Sequence, residues 1–183
     1  MNRDEALEFV KEYISNQNLL KHMLATEAVM RALARRLGYD QDTWGLAGLL
    51  HDIDYEMTKD DPLKHSLLGA QMLAEKGVDP DIVYAVKAHN EAHGDPRKSP
   101  MDTALFAGEA LTGLITAAAL VRPDKSLSSV TVDSLMKRFG EKAFARGANR
   151  ENIATCSELG LELREFLQIG LSAMQEISSD LGL

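Results

Sequence analysis

The chain has 183 residues, enough for one well-buried domain and too few for two of ordinary size. An apolar share of 45% and a charged share of 26% are those of a soluble globular protein, while a formal net charge of −8 argues against a nucleic-acid polymer as partner, because phosphate backbones demand clustered cations. The single cysteine, Cys156, excludes an internal disulfide and a thiolate metal cluster, and fits a reducing, cytoplasmic setting.

The charged start, Met1-Asn2-Arg3-Asp4-Glu5, has no apolar core of a signal peptide. From Asp4 to Ser15 apolar residues recur at helical spacing, and Asn16 to Asn18 is a polar break. A second helix is expected over Leu19 to Leu37, stopped by Gly38. Asp40 or Asp42 caps the next, which runs through Trp44 and Leu46 into Leu49-Leu50-His51-Asp52. Tyr55 to Pro62 lacks periodicity and reads as a loop. His65 to Lys76 forms a helix ended by Gly77. Asp79-Pro80 starts another that reaches about His89 or His93.

After a loop over Gly94 to Pro100 comes Met101 to Val121, the one stretch apolar enough to be mistaken for a membrane span. Glu109 near its middle is costly in lipid, so a buried central helix is the better reading, and no membrane partner is expected. Helices near Val132 to Ala145, Arg150 to Leu159 and Leu163 to Leu181 complete an all-α, single-domain bundle.

Chemistry concentrates in the first half. Neighbouring residues on a helix point about 100° apart, so His51 and Asp52 meet one ion only at a helix end or among other helices. Taken alone the pair is an ordinary polar terminus. Yet all five histidines, His22, His51, His65, His89 and His93, precede residue 94, and helical bundles build metal sites from side chains on facing helices. His89 and His93 stand at i and i+4, a spacing that suits one ion but also arises by chance.

His22, then His51-Asp52 about one helix later, then an acidic residue on a later apolar helix, resemble the H…HD…D signature of the HD-domain superfamily of metal-dependent phosphohydrolases. The resemblance covers His22 to about Val121. His65 and His89 fall where di-metal members, such as bacterial diadenosine tetraphosphate hydrolases, carry two further histidines. The stretch Leu111 to Pro123 and the tail look like a group of bacterial HD proteins known only as predicted hydrolases. There are two departures. Glu109 stands where the family has Asp, and Ile53-Asp54 follows the HD pair where many relatives have small residues and a lysine.

The resemblance implies an HD-type bundle with a metal-site core over about 19–122 and a helical extension over about 123–183. It implies one ion on His22, His51, Asp52 and Glu109, and a second on Asp52, His65 and His89. Imidazoles with carboxylates suit Mn, Fe, Co, Ni, Zn or Mg without choosing among them. Two ions sharing Asp52 would activate a water against phosphorus. Asp52 and His93 are then the candidate catalytic residues, with His93 read as a ligand orienter, a phosphate contact, a proton donor or a surface histidine. Arg138, Lys142, Arg146 and Arg150 recur every fourth residue. They form a solvated basic face or a phosphate-facing wall, on which Arg146 and Arg150 are the candidate substrate contacts, although Gly147 makes a continuous helix doubtful. The expected activity is that of a phosphomonoesterase or phosphodiesterase acting on a nucleotide or other small phosphate ester. The alternative is a non-catalytic metal- or nucleotide-binding module.

Overall fold

A computed structural model describes residues 1–141 and 143–183, and every regular element among them is helical. Helix α1 (Arg3–Tyr13) opens on a capping box in which Asn2 and Glu5 exchange side chain-to-backbone bonds. Helix α2 (Gln17–Leu37) is capped by Asn16 and stops at Gly38, whose φ of 80° lets its N–H donate back to Ala34 O. Helix α3 (Gln41–Leu50) starts on Asp40 and ends at His51. Next come α4 (Tyr55–Thr58), α5 (Leu67–Glu75) and α6 (Pro80–Ala88). Helix α7 (Pro100–Leu120) opens on a Ser99/Asp102 capping box with Pro100 in its first turn. Helices α8 (Val132–Gly140), α9 (Arg150–Ala154), α10 (Leu163–Glu176) and α11 (Ser178–Leu181) follow.

The molecule is a single helical domain built around α7. Helices α2, α3, α6, α8, α9 and α10 all pack against it. Its apolarity therefore belongs to the core: Leu105, Leu111, Leu114 and Ile115 are completely buried. Helix α2 packs most closely on α3. At Gly48 an added Cβ would stand 2.7 Å from Thr26 O, so only glycine allows the α3 backbone to lie on α2 there. That approach brings the end of α3 beside His22.

Several expected elements are cut differently. The expected loop over 55–62 contains the short α4. It is tied to the α1–α2 connection by Glu56, which accepts from Ser15 N, Ser15 Oγ and Asn16 N. The helix expected to reach about His89 or His93 takes the shorter course, ending at Ala88 with His89 as its cap, because Asn90 adopts extended backbone (φ −87°, ψ 110°), and His93 falls in a separate 3₁₀ turn, Glu91–His93. His89 and His93 therefore do not share a helix face. The helix expected over 132–145 stops at Gly140, where Glu141 turns extended. The last one is broken at Ile177 (φ −112°, ψ 21°) into α10 and α11.

Candidate metal centre

His51 caps the C-terminal end of α3, and residues 51–54 continue as tight turns in which Ile53 N–H donates to Leu50 O and Tyr55 N–H to Asp52 O. Four elements deliver imidazoles to Asp52. Its Oδ2 faces His51 Nε2 at 3.4 Å and His22 Nε2 at 3.7 Å, from the end of α3 and the second turn of α2. Its Oδ1 faces His65 Nε2 at 3.4 Å and His89 Nε2 at 3.6 Å, from the turn before α5 and the end of α6. The potential ligand atoms form two triads, His22/His51/Asp52 and Asp52/His65/His89, each with all its atoms within 4.8 Å of one another. Glu109 on α7 stands slightly back, with Oε2 3.8 Å from His22 Nε2.

Each ring is oriented through its other nitrogen. Carbonyls can only accept, so His51 Nδ1–H donates to Gly48 O at 2.8 Å and His89 Nδ1–H donates to Val86 O at 2.6 Å. His65 Nδ1 donates to Asp54 Oδ1 at 3.1 Å. Thr112 Oγ1 donates to Glu109 O at 2.8 Å, which leaves it as the acceptor for His22 Nδ1–H at 3.0 Å. All four Nε2 lone pairs consequently point inward. His22 Nε2 and His51 Nε2 face each other at 3.2 Å, an arrangement that needs a proton or a cation between them. A set of neutral imidazoles around an ionised carboxylate is the donor chemistry of a divalent transition metal, and these residues fit one.

In the metal-free cluster the carboxylates favour a proton on one ring, at the place where an ion would sit. Burial opposes ionisation of Asp52, but the surrounding imidazoles, His51 first, hold its carboxyl well below the usual carboxylate range. Burial likewise lowers His51, yet Asp52 and then Glu109 outweigh it and raise its pKa to about 9. His22, penalised by burial and by the neighbouring His51, is lowered to about 4. The opposite shifts favour the protonated form of His51 and the neutral form of His22. Burial also raises the Glu109 carboxyl.

Asp54 supports the centre from behind. Fully buried, it accepts from Ser66 N at 2.8 Å and Gly69 N at 3.0 Å as well as from His65, so it caps α5 while fixing a histidine. Ser66 occupies the left-handed region (φ 69°), held by this bond and by its hydroxyl donating to Lys87 O at 3.0 Å. Asn90 Nδ2 donates to Pro62 O and His65 O, anchoring the same turn.

His93 is not part of the cavity wall. Its Nε2 donates to His65 O at 2.7 Å, behind the ring that His65 presents. The basic stripe is not assembled. The helix ends at Gly140, Lys142 lies outside the described residues, and Arg146 is exposed beside a different cavity. Arg150 donates to the carbonyls of Arg138, Phe139, Glu141, Phe144, Ala145 and Ala148, which commits its guanidinium to folding that loop.

The cluster opens into a cavity of about 420 Å³ whose wall also includes Leu19, Tyr55, Asn90, Glu91 and Asn152. No Lys or Arg is among the described lining residues. Sequence reading passed over Thr112, Asn90, Tyr55 and Asn152. Only Thr112 carried a signal, as a polar residue three positions beyond Glu109 on an apolar helix.

An all-α domain in which a buried HD pair meets histidines from three other segments has the donor set of a helical metal centre. A family model described as HD domain matches residues 19–122, and the chain belongs to the HD domain family. Among curated proteins it is similar to Ribonuclease Y of Oleidesulfovibrio alaskensis, 33% identical over 98 residues, covering 54% of this chain and 18% of that one. Ribonuclease Y of Desulfotalea psychrophila is 36% identical over 98 residues, covering 53% and 18%. Ribonuclease Y of a Sulfurovum species is 30% identical over 138 residues, covering 74% and 27%. The chain thus spans between 18% and 27% of the length of these relatives.

These names overturn the exclusion of nucleic-acid polymers. Net charge sums the whole surface, whereas a phosphodiester at a metal centre is met locally by the cations bound there, so a charge of −8 does not decide this partner.

Proposed function

We propose that the chain is a metal-dependent phosphodiesterase that cleaves the phosphodiester of a nucleotide or an oligoribonucleotide. One observation carries this reading: the Asp52 carboxylate stands between two pairs of inward-facing imidazoles, one pair on each oxygen. His22, His51 and Asp52, with Glu109 behind them, would hold one divalent ion, and Asp52, His65 and His89 a second. Such a pair supplies Lewis acidity at a phosphoryl oxygen and an acidified water at neutral pH.

The protein's own side chains then position the ester. Asn152 and Tyr55 line the cavity as neutral polar residues, while the Asn90 amide beside them is occupied by Pro62 O, His65 O and Ala92 N. With no cationic side chain in the described lining and three carboxylates there (Asp52, Glu91 and Glu109), the phosphate's charge is left to the bound cations. The requirement for added metal is therefore absolute. His93 acts through the His65 carbonyl as a positioning residue. The ribonuclease relatives support a nucleotidyl substrate.

The test is a panel of bis(p-nitrophenyl) phosphate, p-nitrophenyl phosphate, cyclic mononucleotides and short RNA, each with Mn²⁺ and with EDTA. Diesters are cleaved only with Mn²⁺. Asp52→Ala takes a ligand from both ions, so it lowers metal content and reduces turnover by more than about a hundredfold, the upper end of what an outer-shell loss costs. A wild-type protein that holds metal yet cleaves no phosphodiester is instead a binding module, and the reading fails.

A further inference from the structure

A second cavity, of about 510 Å³, adjoins the first and shares His22 with it. Its walls are Asn18 and Lys21 of α2, Gly113, Thr116 and Leu120 of α7, and residues 181–183. Two of these residues have no sufficient reason within the fold. Gly113 lies exposed in the middle of α7, where glycine costs stability against alanine. Its backbone is helical, and an added Cβ would meet only Ala148 Cβ, at an ordinary 3.7 Å. Packing does not demand glycine there; what its absent side chain leaves is a low wall beside the cavity. Lys21 is half-buried, with its Nζ beside Gly182, and it pairs with no carboxylate among the described residues. It adjoins His22 in sequence as Lys64 adjoins His65, but Lys64 pairs with Asp61 at 3.1 Å, and the centre's own cavity has no lysine or arginine in its described lining.

We propose that this cavity is the subsite for the nucleotide next to the scissile phosphodiester, an inference that rests on the phosphodiesterase reading above. Lys21 Nζ holds the adjoining phosphate, and the sugar and base lie over Gly113 against Leu120 and Leu181. The mix of one free cation, the polar groups of Asn18 and Thr116, and an apolar edge matches a nucleotide unit. Continuity through His22 joins it to the reacting phosphorus. The preferred substrates then carry at least two phosphates along a nucleotide chain.

The experiment compares wild type, Lys21→Gln and Gly113→Leu. Binding of fluorescein-labelled UpUpU with slowly cleaved phosphorothioate linkages is read by anisotropy with Mn²⁺ before any turnover, and kcat/KM is measured with Mn²⁺ on UpUpU and on bis(p-nitrophenyl) phosphate. Each variant raises the Kd for UpUpU about tenfold, as expected for a lost charge-assisted contact or a blocked subsite, and lowers the UpUpU-to-aryl-diester ratio of kcat/KM by a similar factor. Melting temperatures confirm folding, since leucine is a better helix former than glycine. Unchanged Kd and unchanged ratio in both variants overturn the proposal. If wild type cleaves neither ester, the phosphodiesterase reading fails while the Kd comparison still decides the subsite. If Gly113→Leu changes the molar mass by light scattering and leaves Kd alone, the cavity is a contact between copies and the proposal is overturned.

Discussion

At the scale of single residues, the decisive detail is which nitrogen of each histidine is already bonded. Gly48 O, Val86 O, Asp54 and Thr112 take the four Nδ1 protons, and Nε2 is therefore the nitrogen that every ring turns towards Asp52. This pattern separates ligands from scaffold, since a core histidine needs a partner on either nitrogen and has no reason to converge on one carboxylate. Substitution of His65 or His89 by Gln removes a donor from the second triad only. Elemental analysis of Mn²⁺-saturated protein is expected to fall from two ions per chain to one in either variant, with the first triad intact. The same single ion in wild type and both variants would make these histidines scaffold. Arg150 shows the opposite assignment: six carbonyl acceptors fold a loop around one guanidinium, and no donor is left for a phosphate.

At the scale of elements, the centre depends on helix ends. His51 closes α3 and His89 closes α6, so each ring sits where the backbone is free to turn towards Asp52. The spacing between α2 and α3 sets the 3.2 Å approach of His22 to His51, and that spacing depends on Gly48. Gly48→Ala forces its methyl onto the Thr26 carbonyl, whose backbone cannot swing aside as a side chain can. The expected cost is roughly 1–3 kcal/mol, the usual range for overpacking, read as a shift in the urea midpoint. Metal affinity falls with it, because the two helices separate. A variant with wild-type stability and metal content would show that α2 and α3 have slack that the structure denies.

At the scale of the whole molecule, the metal centre ties four segments, α2, the α3 end, the turn before α5 and the α6 end, into one cluster around a buried carboxylate. A ligand that binds only the folded chain stabilises it by about 2.7 kcal/mol at a hundredfold excess over Kd, which for a chain of this length raises Tm by about 5–10 °C. Thermal denaturation with Mn²⁺ and with EDTA measures the difference. Equal melting temperatures would mean that the folded chain binds Mn²⁺ no better than the unfolded one. The segment after residue 122 is part of the same body: α10 packs on both α2 and α7, and α9 brings Asn152 to the cavity wall.

The sequence by itself determined the helical class, the central place of α7 and the clustering of chemistry in the first half. Each of these follows from local pattern: apolar period, capping residues, and an HD pair at the end of an apolar run. The order of ligands in the family pointed to His65 and His89, and the structure brings both to Asp52, while of the two ends expected for α6 only the one near His89 holds, because Asn90 turns extended where its residue type allows either course. The tertiary structure alone decided which side of Asp52 each imidazole faces, that Asp54 orients His65, and that Arg150 is bound up in its own loop. It also brought Asn152 and Lys21 to neighbouring cavities. Such facts depend on contacts between residues far apart in the chain, and a one-dimensional period carries no information about which helix ends meet.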